Sequence, residues 1–213
     1  MRCNQSNVSF GTNIILVSPK ELHREWSKAW NADNLDTIDY WETDSENKEK
    51  LGYRTTNNSV YTYEVRTCTA GVVTKKDSKP PFVFHFFHSK KTLDGLCKVK
   101  QLIDGENAIL IGSKKNVECA KEVFDEIQQY LKKKNIPTTI LKTLCNSWEA
   151  KFIYDSKKDN LYLCVKDYFN EKKYVKSIDD LKKVFETVMI SSKDKVYFKG
   201  QIKYFIDKLL RRI

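Results

Sequence analysis

A stretch near the middle of the chain, residues 60–88 (VYTYEVRTCTAGVVTKKDSKPPFVFHFFH), predicts two β-strands joined by a polar loop. The first part is rich in Val, Tyr and Thr, the last part is aromatic, and KKDSKP between them supplies turn residues. A turn centred between Lys76 and Asp77 sets Cys68 opposite His85. Directly opposed Cβ atoms lie about 4.5–5.5 Å apart, so the thiol and the imidazole would meet. A one-residue slip in register would turn either side chain to the other face.

A thiol beside an imidazole can act as an activated nucleophile. A neighbouring imidazolium lowers the pKa of a cysteine to about 3.5–7.5, and the same imidazole can return a proton to a leaving group. Two structural alternatives stand beside this one. Cys68 can be a small buried hydrophobe, and His85, among phenylalanines, can be a core histidine bonded to a backbone carbonyl.

The chain carries 38 Lys and Arg against 28 Asp and Glu, a formal net charge of +10, which suits association with anionic partners. A nucleic-acid site would interleave aromatic residues with the basic ones on one face. The basic runs at 132–134 and 211–212 instead resemble solvated helix ends, so nucleic acid is not expected as the partner.

No two of the six cysteines form a CxxC pair, and the three histidines have no paired metal spacing, so neither a metal site nor a cofactor is expected. The GxGxxG and GxxxxGK[ST] patterns are absent. Residues 1–13 lack the apolar run of a signal peptide and no stretch is long enough for a membrane span. These features predict a cytoplasmic protein, or an effector exported by a leaderless route.

Strand and helix patterns alternate along the chain and predict an α/β (α+β) fold: a layered sandwich with a mixed β-sheet flanked by helices. Three regions are expected. Residues 1–58 form an N-terminal extension with one strand, one helix and an irregular segment, residues 59–170 form the core, and residues 171–213 form a C-terminal helical extension. Helices are predicted at about 19–30, 92–103, 117–134, 177–189 and 199–213, and further strands at 13–17, 107–112, 138–144, 151–154 and 161–166.

The segment from Thr62 through Cys68 to His85 resembles the CheD-type glutamine deamidases of bacterial chemotaxis, which belong with the cytotoxic-necrotizing-factor-like deamidase toxins. That family has a Thr six residues before its nucleophilic Cys and a His seventeen residues after it, and this chain matches both spacings. The residues IGSKKN at 111–116 are similar to the family's entry into its long helix. The resemblance covers about residues 61–166, and the chain departs from the family at Arg66 and Thr67, where the family has Gly-Ser.

The resemblance implies a hydrolase that converts a protein glutamine to glutamate and releases ammonia, with Cys68 as nucleophile, His85 as base and Thr62 holding His85. On an ideal strand Thr62 lies about 20 Å from Cys68, so it can join the site only if the chain turns between them. The implied partner is a protein with an exposed glutamine, and the extensions favour an effector or toxin-like role. The alternative from another class is a non-catalytic basic binding protein for nucleic acid or an anionic partner.

Overall fold

A computed structural model describes residues 11–40, 52–75, 79–145 and 147–199. Twelve strands occur in these ranges. They are β1 (Asn13–Leu16), β2 (Leu35–Thr37), β3 (Tyr53–Thr55), β4 (Ser59–Val65), β5 (Thr69–Thr74), β6 (Phe82–Phe86), β7 (Asn107–Gly112), β8 (Thr138–Leu144), β9 (Trp148–Asp155), β10 (Asn160–Asp167), β11 (Phe185–Met189) and β12 (Lys195–Phe198). The helices are α1 (Pro19–Asn31), α2 (Lys90–Val99), α3 (Ala120–Lys133) and α4 (Ile178–Val184), and a 3₁₀ turn at Lys100–Leu102 follows α2.

The strands form two mixed six-stranded sheets. Sheet A has the order β12-β1-β10-β9-β4-β2, and sheet B has the order β11-β8-β7-β5-β6-β3. The two sheets pack face to face, because a single apolar cluster draws alternate residues from both of them. Its members from the strands include Ile14, Leu16, Val60, Phe152, Leu161 and Leu163 of sheet A, and Ala70, Val72, Val83, Ile109, Ile111 and Leu141 of sheet B.

Helices cover the outer face of each sheet. Leu22 and Trp26 of α1 pack on the outward side chains of sheet A. A second cluster joins α2 and α3 to the outer face of sheet B, where Phe82, Phe84 and Phe86 of β6 point. The molecule is therefore layered helix, sheet, sheet, helix. The predicted α/β layered class is confirmed, with two sheets in the place of the single mixed sheet that was expected.

The expected terminal extensions contribute strands to the sheets. β1, from the segment 1–58, lies between β10 and β12 and pairs with both in parallel. β11 and β12, from the segment 171–213, pair with β8 and β1. The sequence did not reveal these pairings because the partner strands are far apart in the chain and leave no local signal.

Several predicted elements are confirmed. The strands at 107–112 and 138–144 have the predicted bounds. α1 begins where its capping signal places it, because the Ser18 side chain accepts a hydrogen bond from the Glu21 N–H while the Glu21 carboxylate accepts one from the Ser18 N–H. No helix in the described ranges is long and apolar enough to cross a membrane.

Other predicted bounds are wrong. The helix expected at 177–189 ends at Val184. The chain then continues as strand β11, because Phe185, Thr187 and Val188 pair with β8. The helix expected from 117 begins at Ala120, because Asn116 and Cys119 have positive φ values of 61° and 59°. Nearly all of the helix expected at 199–213 lies outside the described residues.

Candidate functional site

The stretch at 60–74 is two strands in different sheets, not one arm of a hairpin. β4 belongs to sheet A and ends at Val65, the chain bends at residues 66–68, and β5 begins in sheet B at Thr69. Glu64 has a φ of 56°, within the irregularity that interrupts the pairing of β4 with β9. This crossing supplies the turn that Thr62 needs to approach Cys68, since Thr62 lies on β4 and Cys68 directly precedes β5.

Thr62 and His85 meet in the interior of the sandwich. Thr62 points inward from sheet A, opposite Phe152, and His85 points inward from sheet B on the same face as Val83. The Thr62 hydroxyl and His85 Nδ1 are 2.8 Å apart. Both residues are buried, with exposed fractions of 0% and 1%. The expected contact between Thr62 and His85 is therefore present, and His85 is not bonded to a backbone carbonyl through Nδ1.

The second ring nitrogen of His85, Nε2, is buried and has no hydrogen-bond partner among the residues that the structure describes. A buried polar atom without a partner costs about 1–3 kcal/mol, so native proteins rarely keep one without a reason. The Cys68 thiol is not hydrogen-bonded to this nitrogen. The pairing of β5 with β6 explains the gap: Ala70 faces His85, so Cys68 lies two positions further along. The predicted register was wrong by two residues, and Cys68 lies in the bend that precedes β5.

The backbone around Cys68 is fixed by the end of β7. The Cys68 carbonyl accepts a hydrogen bond from the Ser113 N–H at 3.1 Å. Gly112, which pairs with Thr69, has a φ of 128°. A Cβ atom at Gly112 would lie 2.0 Å from the Cys68 carbonyl oxygen, so only glycine allows this approach. These contacts therefore fix the backbone of Cys68 against the end of β7.

The Cys68 sulfur lies in a polar but closed environment. Burial raises the pKa of the Cys68 thiol to about 12, and the Asp39 carboxylate raises it further. Hydrogen bonds from the Thr67 side chain and from the backbone N–H groups of His88 and Cys68 act in the opposite direction. The thiol is therefore protonated at neutral pH, although three donors converge on the sulfur.

His85 is also neutral in this state. Burial lowers its pKa to about 4, while the Asp39 carboxylate opposes that shift. The Asp39 carboxylate therefore acts electrostatically on both Cys68 and His85. The expected thiolate–imidazolium pair is wrong for the resting protein, because burial disfavours both charged forms.

His88 lies at the edge of the site. It follows the end of β6, and its Nδ1 is 2.8 Å from the Thr67 hydroxyl. Its backbone N–H approaches the Cys68 sulfur. The site thus contains two threonine–histidine pairs, Thr62–His85 in the interior and Thr67–His88 at its edge. The imidazole of His88 also lines a cavity of about 280 Å³ with Cys119.

Sequence reasoning missed three residues of this site: Thr67, Asp39 and Gly112. Thr67 was noted only as a departure from the family pattern, and Asp39 belonged to a segment read as an irregular extension. Gly112 was the one with a local signal, because a glycine that ends an unbroken apolar strand often marks a close backbone approach. Tyr40 was also unassigned; its half-exposed ring lies edge-on to His85, with 6.3 Å between ring centroids.

Within the described ranges, no group of three or more His, Cys, Asp or Glu side chains is placed to hold a metal ion. A comparison of the chain with models of protein families and with curated proteins finds no match. The likeness to CheD-type deamidases therefore rests on the motif residues and their spacing.

Proposed function

We propose that the chain is a cysteine-dependent protein-glutamine deamidase in which Cys68 is the nucleophile, His85 the general base and Thr62 the residue that positions His85. The observation that carries the proposal is the Thr62–His85 hydrogen bond together with the unpartnered Nε2 of His85. When Nδ1–H donates to the Thr62 oxygen, Nε2 carries a lone pair and can accept a proton. The hydroxyl of Thr62 then fixes the tautomer, as the third member of a triad does.

The reaction starts from a neutral thiol and a neutral imidazole. As the Cys68 sulfur attacks the carboxamide carbon of a glutamine side chain, Nε2 of His85 takes the thiol proton. In this proposal, backbone N–H groups near the sulfur, such as those of Cys68 and His88, donate to the oxyanion that forms. No charged pair has to exist before the substrate binds, which agrees with the burial of both groups.

Breakdown of the tetrahedral intermediate follows from the same geometry. The imidazolium formed at His85 is strongly acidic, because the buried ring has a pKa of about 4. It therefore gives its proton readily to the departing nitrogen, which leaves as ammonia, and a thioester remains on Cys68. A water molecule that loses its proton to Nε2 then attacks the thioester carbonyl, and glutamate and the free thiol are released.

The substrate in this proposal is a protein with a glutamine in a mobile segment. Cys68 and His85 are 5% and 1% exposed, so a side chain has to reach them at the end of the sandwich. Tyr40 is half-exposed and contacts His85. We expect the glutamine side chain to enter the site beside Tyr40. The net positive charge would assist docking on an acidic protein, consistent with a role as an effector.

The choice of base can be tested with two alanine variants. His85→Ala is expected to abolish ammonia release from heat-denatured casein, a protein with many accessible glutamines, because the substitution removes the proposed acceptor of the Cys68 proton. His88→Ala is expected to retain most of the activity, since His88 contributes a backbone N–H that alanine keeps. Ammonia is measured in a coupled assay, after circular dichroism has shown that both variants fold. Activity lost in His88→Ala and kept in His85→Ala would overturn the assignment of the base.

A further inference from the structure

A cavity of about 930 Å³ lies on the outer face of sheet A, away from Cys68. Sheet A forms its floor, and one wall is formed by Glu25, Lys28 and Ala29 of α1 together with Ala32, the residue after the helix. The volume is near the upper end of the range of about 300–1,000 Å³ that is typical of ligand pockets. Ala29 helps to explain why space remains, since a larger side chain at this helix position would extend towards the sheet.

The pairing of the strands arranges the floor in two rows. Across β12, β1, β10 and β9, one row is polar and the next row, two residues along each strand, is apolar and aromatic. The polar row consists of Lys195, Asn13, Asn160 and Asp155, and the other row consists of Tyr197, Ile15, Tyr162 and Ile153. Two residues along a strand span about 6.6 Å, so a ligand of ordinary size contacts both rows.

The charges around the cavity are predominantly positive. Five lysines line it, at positions 28, 157, 158, 195 and 199, against the two carboxylates of Glu25 and Asp155. Glu25 accepts hydrogen bonds from Lys199 at 2.7 Å and from Lys28 at 3.2 Å, and Asp155 accepts one from Lys158 at 2.8 Å. With five lysines against two carboxylates, the lining carries a formal excess of positive charge, which suits an anion.

We propose that this cavity binds a phosphorylated ligand with a planar aromatic body, such as a nucleotide. The aromatic body lies on the row of Tyr197, Ile15, Tyr162 and Ile153, and the phosphates lie towards Lys157 at the end of the polar row. Tyrosine faces are well suited to stacking on a planar ring, and lysines hold phosphates as mobile point charges. The site is made by sheet A and α1 alone, so the inference does not depend on the proposed deamidase activity.

The test uses a fluorescent N-methylanthraniloyl derivative of ATP as the probe, with the full chain and fluorescence anisotropy as the readout. Saturable binding is expected. Unlabelled ATP should displace the probe at much lower concentration than adenosine or inorganic tripolyphosphate, because each of these carries only half of the recognised chemistry. Absence of saturable binding, or displacement by tripolyphosphate as good as that by ATP, would overturn the proposal.

Two variants locate the probe. Ala29→Leu keeps a strong helix former in α1 but fills the cavity, and is expected to weaken binding by about tenfold or more. Lys157→Glu reverses an exposed charge at the rim and should weaken binding in a salt-dependent way. The matched control is Lys172→Glu, an exposed lysine that does not line this cavity. Equal binding by Ala29→Leu and the unchanged protein, or equal losses in Lys157→Glu and Lys172→Glu, would contradict the site.

Discussion

Replacing Cys68 by Ser is expected to lower ammonia release from casein by about 10³-fold or more, because a serine hydroxyl at this position is a far weaker nucleophile than a thiol. The fold should be almost unaffected. The Thr67 side chain and the backbone N–H groups of Cys68 and His88 already surround the sulfur, so the new hydroxyl finds partners. The free energy of unfolding, measured by urea denaturation, should change by about 1 kcal/mol or less.

Cys164 supplies the matched control for this substitution. It is also buried, with a thiol pKa raised to about 12 by burial, but it lies on β10 under α1, outside the candidate site. Cys164→Ser should therefore lower stability more than Cys68→Ser, by about 1–3 kcal/mol for a hydroxyl in an apolar cluster, and leave ammonia release unchanged. If Cys68→Ser left ammonia release intact, Cys68 would be a packed core thiol and the basic binding protein would be the better account.

Acid is expected to destabilise the protein through His85 by about 3 kcal/mol. The imidazole has a pKa of about 4 in the folded chain, lowered by burial from 6.5. Between pH 6.5 and pH 4, His85 is protonated in the unfolded chain but not in the folded chain. Proton binding therefore stabilises the unfolded state as the pH falls. The contribution of His85 to stability is complete above pH 6.5 and is lost as the pH falls from 6.5 to 4.

The measurement is the free energy of unfolding at pH 7.5 and at pH 4, in the unchanged protein and in His85→Gln. Between pH 7.5 and pH 4, the free energy of unfolding should fall by about 3 kcal/mol less in His85→Gln than in the unchanged protein, since Gln does not titrate. Carboxyl groups titrate in both proteins and cancel in the difference. His23→Gln, at an exposed position, should keep the full pH dependence. The same pH dependence in all three proteins would show that His85 is not held neutral by burial.

The sequence predicted best where the signal is local. The unbroken apolar runs at 107–112 and 138–144 and the capping box at Ser18 each determine their element without help from distant residues, and all three are confirmed. The break at residues 66–68 has no such signal. β-branched and aromatic residues continue on both sides of it, so periodicity could not show that the chain passes from one sheet to the other.

The candidate site shows the same division. The spacing of Thr62, Cys68 and His85 correctly placed Thr62 against His85, because that contact follows once the chain turns between the strands. The electrostatics of the pair could not be predicted from spacing. Two apolar sheets close over both groups, and the resulting burial reverses the expected pKa shift of the Cys68 thiol and keeps His85 neutral. Asp39 joins the site from a segment with no recognisable motif.

The central claim is that Nε2 of His85 acts as a base towards Cys68, and the most direct test compares two thiols in one molecule. Cys68 and Cys164 are both buried and both have pKa values raised to about 12 by burial, so they should react with iodoacetamide at similar low rates if neither is assisted. We expect Cys68 to react about tenfold faster or more at pH 8, measured for each residue by mass spectrometry. In Thr62→Val and in His85→Gln the rate at Cys68 should fall to that of Cys164, while the rate at Cys164 stays constant. Equal rates in the unchanged protein, unaffected by either substitution, would contradict the account.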